Sequence, residues 1–154
     1  MHNTLRIIAV VLIFFIALPA LAAGYSFIVD PSGKGVDISL AYLKSTSPFK
    51  NYFIPGIVLF TVNGILSVVI AIAVLKKVKH YPFLILLQGF IYIGWIAVQL
   101  TMVRSFHPFH AIVASIGIVL MFIGWILYRV SSEDWKSRCV LDKSVQAKTV
   151  KGGR

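Results

Sequence analysis

The sequence predicts an all-α fold, a polytopic transmembrane four-helix bundle, and three observations predict it. Four apolar stretches, Ile7 to Ala23, Tyr52 to Leu75, Tyr81 to Thr101 and Phe109 to Tyr128, fill most of the 154 residues. The last three carry no formal charge, and each has the roughly 20 residues that a helix rising about 1.5 Å per residue needs to cross a bilayer core. Composition agrees, with 58% hydrophobic and 13% charged residues and a mean hydropathy of +0.89. A soluble bundle would give its helices polar faces, whereas these runs are apolar nearly all round.

The first run admits two readings. Arg6, the apolar block Ile7 to Leu18 and Ala20-Leu21-Ala22 have the layout of a signal peptide with its cleavage site. Cleavage would leave three spanning helices. Because the run stays apolar to Ala23, it is also long enough to span with little tilt, and the uncleaved helix is the reading adopted here.

The loops follow from the punctuation between runs. Residues 24–49 form the one long outer loop, in which Asp30-Pro31-Ser32-Gly33 reads as a turn and Val36 to Leu43 as a short interfacial helix. Ser47-Pro48 has the form of a helix start, a capping serine followed by proline at the first helical position. Ser105 to Pro108 offers a similar entry to the fourth helix. Five residues from Lys76 to His80 allow only a tight hairpin, so helices two and three are expected to be antiparallel neighbours, as are three and four. Residues 1–130 therefore form a single transmembrane domain. Residues 131–154 read as a basic cytoplasmic tail, an interfacial segment passing into a flexible end.

Charge sets the expected orientation. With both termini in the cytoplasm, eleven Lys and Arg residues lie inside and four outside, the sense of the positive-inside rule. The formal net charge of +10 invites a nucleic-acid reading, but the bases stand at helix ends, where they meet anionic headgroups. The tail is broken by Glu133, Asp134 and Asp142. Membrane lipids are thus the expected partners, and no nucleic acid is.

Inside the membrane, apolar side chains do not by themselves drive helices together, so small residues and hydrogen bonds mark the contacts. Helix two has Gly56, Asn63, Gly64 and Ser67; helix three has Gln88, Gly89, Gly94 and Gln99; helix four has Ala111, Ala114, Ser115, Gly117 and Gly124. Gln88, Tyr92, Trp95 and Gln99 recur at helical spacing along one face of helix three. Two readings of this stripe stay open. In one, Gln88 bonds Asn63 or Ser67 across a helix contact; in the other, Asn63, Gln88, Tyr92, Trp95 and Gln99 line a cavity for a small polar or amphipathic ligand. Ile93-Gly94-Trp95-Ile96 returns as Ile123-Gly124-Trp125-Ile126, which we read as glycine giving close helix approach beside an indole rather than as a duplication.

Chemistry-bearing motifs are lacking. His107 and His110 stand three apart at the outer start of helix four, His80 at the inner start of helix three, and interfacial contact with headgroups or backbone is expected of all three rather than metal or haem ligation. Cys139 is the only cysteine, so there is no internal disulfide or redox pair. No Walker lysine, glycine fingerprint, HExxH helix or complete Ser-His-Asp set is present. No catalytic residue, metal site or cofactor is assigned, and the sequence points away from an enzyme.

Ser47-Pro48-Phe49-Lys50-Asn51-Tyr52-Phe53-Ile54-Pro55-Gly56, followed by Val62-Asn63-Gly64 and by Gly94-Trp95 to Gln99, resembles small uncharacterised bacterial integral membrane proteins with four helices. The resemblance covers about residues 20 to 128. It implies a location in the bacterial cytoplasmic (inner) membrane, and no activity. The small packing residues favour a non-enzymatic membrane subunit or scaffold, a homo-oligomer or a partner of other membrane subunits, that stabilises a larger assembly. The alternative is a small-molecule or lipid-binding membrane protein, conceivably a transporter, using the polar stripe.

Overall fold

In the computed structural model the described residues are 2–36, 40, 49–103 and 108–152, with side chains through residue 130. They form four long helices: α1 (His2–Val29), α2 (Phe53–Leu75), α3 (Tyr81–Met102) and α4 (Pro108–Gly152). All of α1, α2 and α3 and the Pro108–Val130 part of α4 are long and apolar enough to cross a membrane. The fold is all-α, as the hydropathy requires.

Local chemistry explains most boundaries. α1 outruns the apolar core of its sequence at both ends and stops before Pro31, whose ring disfavours helical backbone at Asp30. Pro19 stands inside α1, a substitution for an amide donor that membrane helices tolerate when neighbouring groups cover the freed carbonyl. At the start of α2 the Asn51 Oδ1 accepts a hydrogen bond from the Phe53 amide at 3.2 Å; the start expected at Ser47-Pro48 lies outside the described residues. Pro82 in the first turn of α3 and Pro108 at the start of α4 occupy positions where an amide hydrogen would have no helical partner. Ser105 to His107 lie outside the described residues, as does most of the segment expected to form an interfacial helix at Val36 to Leu43. A single 3-10 turn, Lys34–Val36, is described at its beginning.

The α2–α3 hairpin is closed by a left-handed residue. The Lys77 amide donates to the Val74 carbonyl and the Val78 amide to the Ala73 carbonyl, both at 3.2 Å, with Lys77 at φ 53. This is the pairing that ends helices on a left-handed residue, here a lysine where glycine is usual.

The tail differs from expectation. Instead of an interfacial segment and a flexible end after Ser131, the backbone of α4 continues as helix to Gly152. Between Trp125 and Lys151 there is neither glycine nor proline to stop it, so the helix ends where the first glycine stands.

Each helix packs against its sequence neighbours, and α1 also meets α4, so the four close into a ring. The most extensive contact is α1 with α2, followed by α3 with α4; the least extensive of the four is α1 with α4. Glycines make the closest approaches. A Cβ built at Gly24 would lie 2.7 Å from the Phe60 amide nitrogen of α2, and one at Gly124 would lie 2.6 Å from the Leu86 amide nitrogen of α3. In the repeated Ile-Gly-Trp-Ile, however, Gly94 meets nothing within 4 Å. Close approach beside an indole thus holds for Gly124 and fails for Gly94. The indoles differ too: Trp125 is exposed and carries the Arg129 guanidinium 4.8 Å above its ring, while Trp95 turns inward.

The main core runs through Ile13, Ile70, Val74, Ile85, Tyr92 and Leu120. Outward, Phe15, Leu18 and Phe122 are 60% exposed or more. A surface of such residues on every helix is stable only against hydrocarbon.

At the end of the bundle that carries the 24–49 loop, a smaller cluster of Phe27, Tyr52 and Met102 forms a cap. The rings of Phe27 and Tyr52 stack with centroids 4.9 Å apart, and the Tyr52 amide donates to the Pro31 carbonyl at 3.1 Å. The expected turn is present beside it: the Asp30 carboxylate accepts from the Ser32 hydroxyl at 2.6 Å and from the Ser32 amide at 3.0 Å. Those bonds, the hydroxyl first, hold the Asp30 carboxyl below its ordinary value of 3.8. Because the folded value is depressed, the turn keeps this contribution above the ordinary carboxylate range and loses it as pH falls through the folded value. The Ser32 amide resonance should accordingly titrate with a midpoint below 3.8; a midpoint at or above that value would mean the carboxylate is not held by Ser32.

Candidate functional site

Helix α2 is not α-helical throughout. Its middle, Leu59–Leu66, is a π-helical stretch, a backbone form that is rare and found disproportionately at functional positions. The two residues it buries are Asn63 and Gly64. Asn63 is 1% exposed, and neither its Nδ2 nor its Oδ1 has a hydrogen-bond partner. One turn further along, Ser67 is fully buried and partnered.

The stripe on α3 divides into two halves with different surroundings. Toward the end of the bundle that carries the α2–α3 hairpin, the Gln88 Nε2 donates to the Ser67 Oγ at 2.8 Å. The Tyr92 hydroxyl shares its proton between the Ile13 carbonyl at 3.2 Å and the Ser67 Oγ at 3.3 Å. This node ties α1, α2 and α3 together with side chains that are all sealed from solvent. Of the two partners expected for Gln88, the structure supplies Ser67 and not Asn63. The Gln88 Oε1 remains without a partner.

Toward the loop end a void opens among the helices, although α1 and α2 stay in close contact there at Gly24 and Gly56. Trp95 and Gln99 from α3 and Asn63 from α2 line a cavity of about 430 Å³, walled also by Ile16 and Ala20 of α1 and by His110 and Val113 of α4. That is within the range of volumes that enclose small ligands. Phe27, Tyr52 and Met102 of the cap line its outer end. Asn63 lines the cavity while only 1% exposed, with both polar atoms of its amide sealed from solvent. The Gln99 Oε1 is likewise buried without a partner. Pro19 and Phe109 line the cavity and are also exposed, and they stand where it reaches the surface between α1 and α4.

The five residues singled out in the sequence are thus split. Gln88 and Tyr92 belong to the closed node; Asn63, Trp95 and Gln99 belong to the cavity. His110 departs from the interfacial position expected of it: it is 5% exposed and forms part of the cavity wall. His80 is exposed, in line with an interfacial place, and His107 lies outside the described residues. Phe27, Tyr52 and Met102 were not legible as lining, because nothing in the local pattern distinguishes a residue beside a void from one beside a neighbour. Among the described residues no three His, Cys, Asp or Glu side chains come together as metal ligands.

Chemically the cavity offers an apolar body and a few neutral polar groups. Among the described residues it holds no arrangement of nucleophile, base and oxyanion donors. Comparison of the chain with known protein families, with curated proteins and with solved structures yields no match.

Proposed function

We propose that this chain is an integral membrane protein that takes a small amphipathic molecule from the bilayer into the cavity between its four helices. One observation carries the reading: Asn63 lines a void at membrane depth and is buried, with its amide donor and acceptor both unpartnered. An unsatisfied buried amide costs about 1 to 3 kcal/mol, a cost that a bound polar group removes. Filling the void is the test. Native mass spectrometry from lipid nanodiscs should find a non-protein adduct of about one equivalent on the natural chain and lose it on Ala20→Phe, whose side chain enters the cavity. Identical spectra from the two proteins would sink the proposal.

The scaffold reading draws less support. It rested on small residues available to other chains, of which Gly56, Gly64, Gly89, Gly117 and Gly124 abut helices of this chain. Gly94, Ala111 and Ser115 are exposed and are the small residues that association with copies or other subunits would use.

The orientation belongs to the same proposal. The Lys and Arg bias supports a bacterial cytoplasmic membrane location with both termini in the cytoplasm. In a Cys139→Ser background, a cysteine at exposed position 34 should react with an impermeant maleimide added to intact spheroplasts, and one at position 77 only after the membrane is opened. Reaction of position 77 in intact spheroplasts would reverse the topology.

A further inference from the structure

We infer that the cavity's ligand is an uncharged lipid whose polar end is a single group that both donates and accepts hydrogen bonds, a hydroxyl or an amide. This rests on the binding reading above and deepens it. Among the described residues the lining contains no Asp, Glu, Lys or Arg, and an ionised headgroup brought to that depth would meet no side chain of fixed charge, only the imidazole of His110, at a cost of several kcal/mol where it stays unpaired. Asn63 presents a free donor and a free acceptor. Gln99 presents a free acceptor. An alkane satisfies none of these atoms. An ester or ketone accepts only, and leaves both amide oxygens bare. A hydroxyl or amide serves the Asn63 donor and one of the oxygens at once.

Access points the same way. The rest of the void is apolar and suits a hydrocarbon body. The exposed lining residue Pro19 lies ten residues from the loop end of α1, about 15 Å along a helix at 1.5 Å per residue, which puts that part of the rim at acyl-chain depth, while Phe109 puts another part at the loop end. The helices that flank this rim, α1 and α4, make the least extensive of the four neighbouring contacts, so entry disturbs the smallest interface.

The experiment uses Trp95 as reporter. With Trp125→Phe and Trp135→Phe, the full chain in phosphatidylcholine vesicles carries one indole, in the cavity wall. Probes are a chain-brominated long-chain alcohol, the matching alkane, and the matching fatty acid held ionised at high pH. The alcohol should quench Trp95 saturably, at about ten-fold lower mole fraction than the alkane or the carboxylate. Asn63→Leu and Gln99→Leu should each raise its half-saturation about five-fold or more, the size of one hydrogen bond of about 1 kcal/mol. Should one variant fail to fold, the other decides. Equal saturation by alkane and alcohol, or tighter saturation by the carboxylate, overturns the polar-end inference while leaving the cavity a binding site. Unsaturable quenching by every probe, equal to that of a protein retaining only lipid-facing Trp125, overturns both.

Discussion

Replacing Gly89 by alanine is expected to destabilise the bundle by about 2 kcal/mol, the range in which overpacked interiors fall. The added Cβ would lie 2.5 Å from the Gly117 carbonyl oxygen, 2.7 Å from the Met121 Cγ and 2.9 Å from the Met121 amide nitrogen. Met121 Cγ belongs to a flexible side chain and can swing away. The other two atoms are backbone, and only separation of α3 from α4 relieves them. This is one of the two most extensive contacts in the fold, and in hydrocarbon it is held by van der Waals packing that a gap of half an ångström to one ångström already weakens by a quarter or more. Gly94→Ala on the same helix is the control. Nothing stands within 4 Å of its added methyl, and alanine is the better helix former by about 1 kcal/mol in water, so the change should be neutral or slightly stabilising. Unfolding of both variants in mixed micelles of rising denaturing-detergent fraction measures the difference; equal midpoints for the two would mean that the Gly89 contact does not hold the helices together.

That pair also marks what the sequence could and could not reveal. Both glycines sit in the same apolar run, and both read as packing residues, because composition registers what a residue permits and not which way its helix is turned. The spanning helices were legible since hydropathy adds along a chain and the bilayer fixes the length required. The α3 stripe was legible since helical spacing puts Gln88, Tyr92, Trp95 and Gln99 on one face. Its division into a closed half and an open half was not: that depends on where α1 and α4 lie relative to α3, a property of four segments together. The π-helical turn around Asn63 left no local signal, and neither did the burial of His110, whose place near a helix start suggested the interface. The continuation of α4 past Ser131 was a misreading of a different kind, in which few apolar residues were taken as a reason for the chain to lose its helix when no residue there breaks one.

Asn63→Leu should raise stability while it weakens binding about five-fold or more, and the neighbouring Ser67→Ala should lower stability. The two residues are one turn apart on α2 and equally buried, at 1% and 0% exposure. Their hydrogen bonding is opposite. Ser67 accepts from Gln88 and Tyr92, so truncating it strands a buried Gln88 donor, at an expected cost of about 1 kcal/mol, within the range measured for such bonds between membrane helices. Asn63 satisfies nothing in the empty protein. Leucine has nearly its shape, carries no polar atom, and removes an unmet donor and acceptor from a site where each is costly, so a gain of about 1 to 2 kcal/mol is expected. A polar residue that destabilises the fold it sits in is retained for something other than the fold. Detergent unfolding of the two variants, beside the Trp95 quenching measurement, separates the cases. Destabilisation by Asn63→Leu comparable to that of Ser67→Ala would make Asn63 a second structural hydrogen-bonding residue and leave the cavity without its polar end. A stabilised protein whose half-saturation rises about five-fold or more would identify the Asn63 amide as the group that meets the ligand.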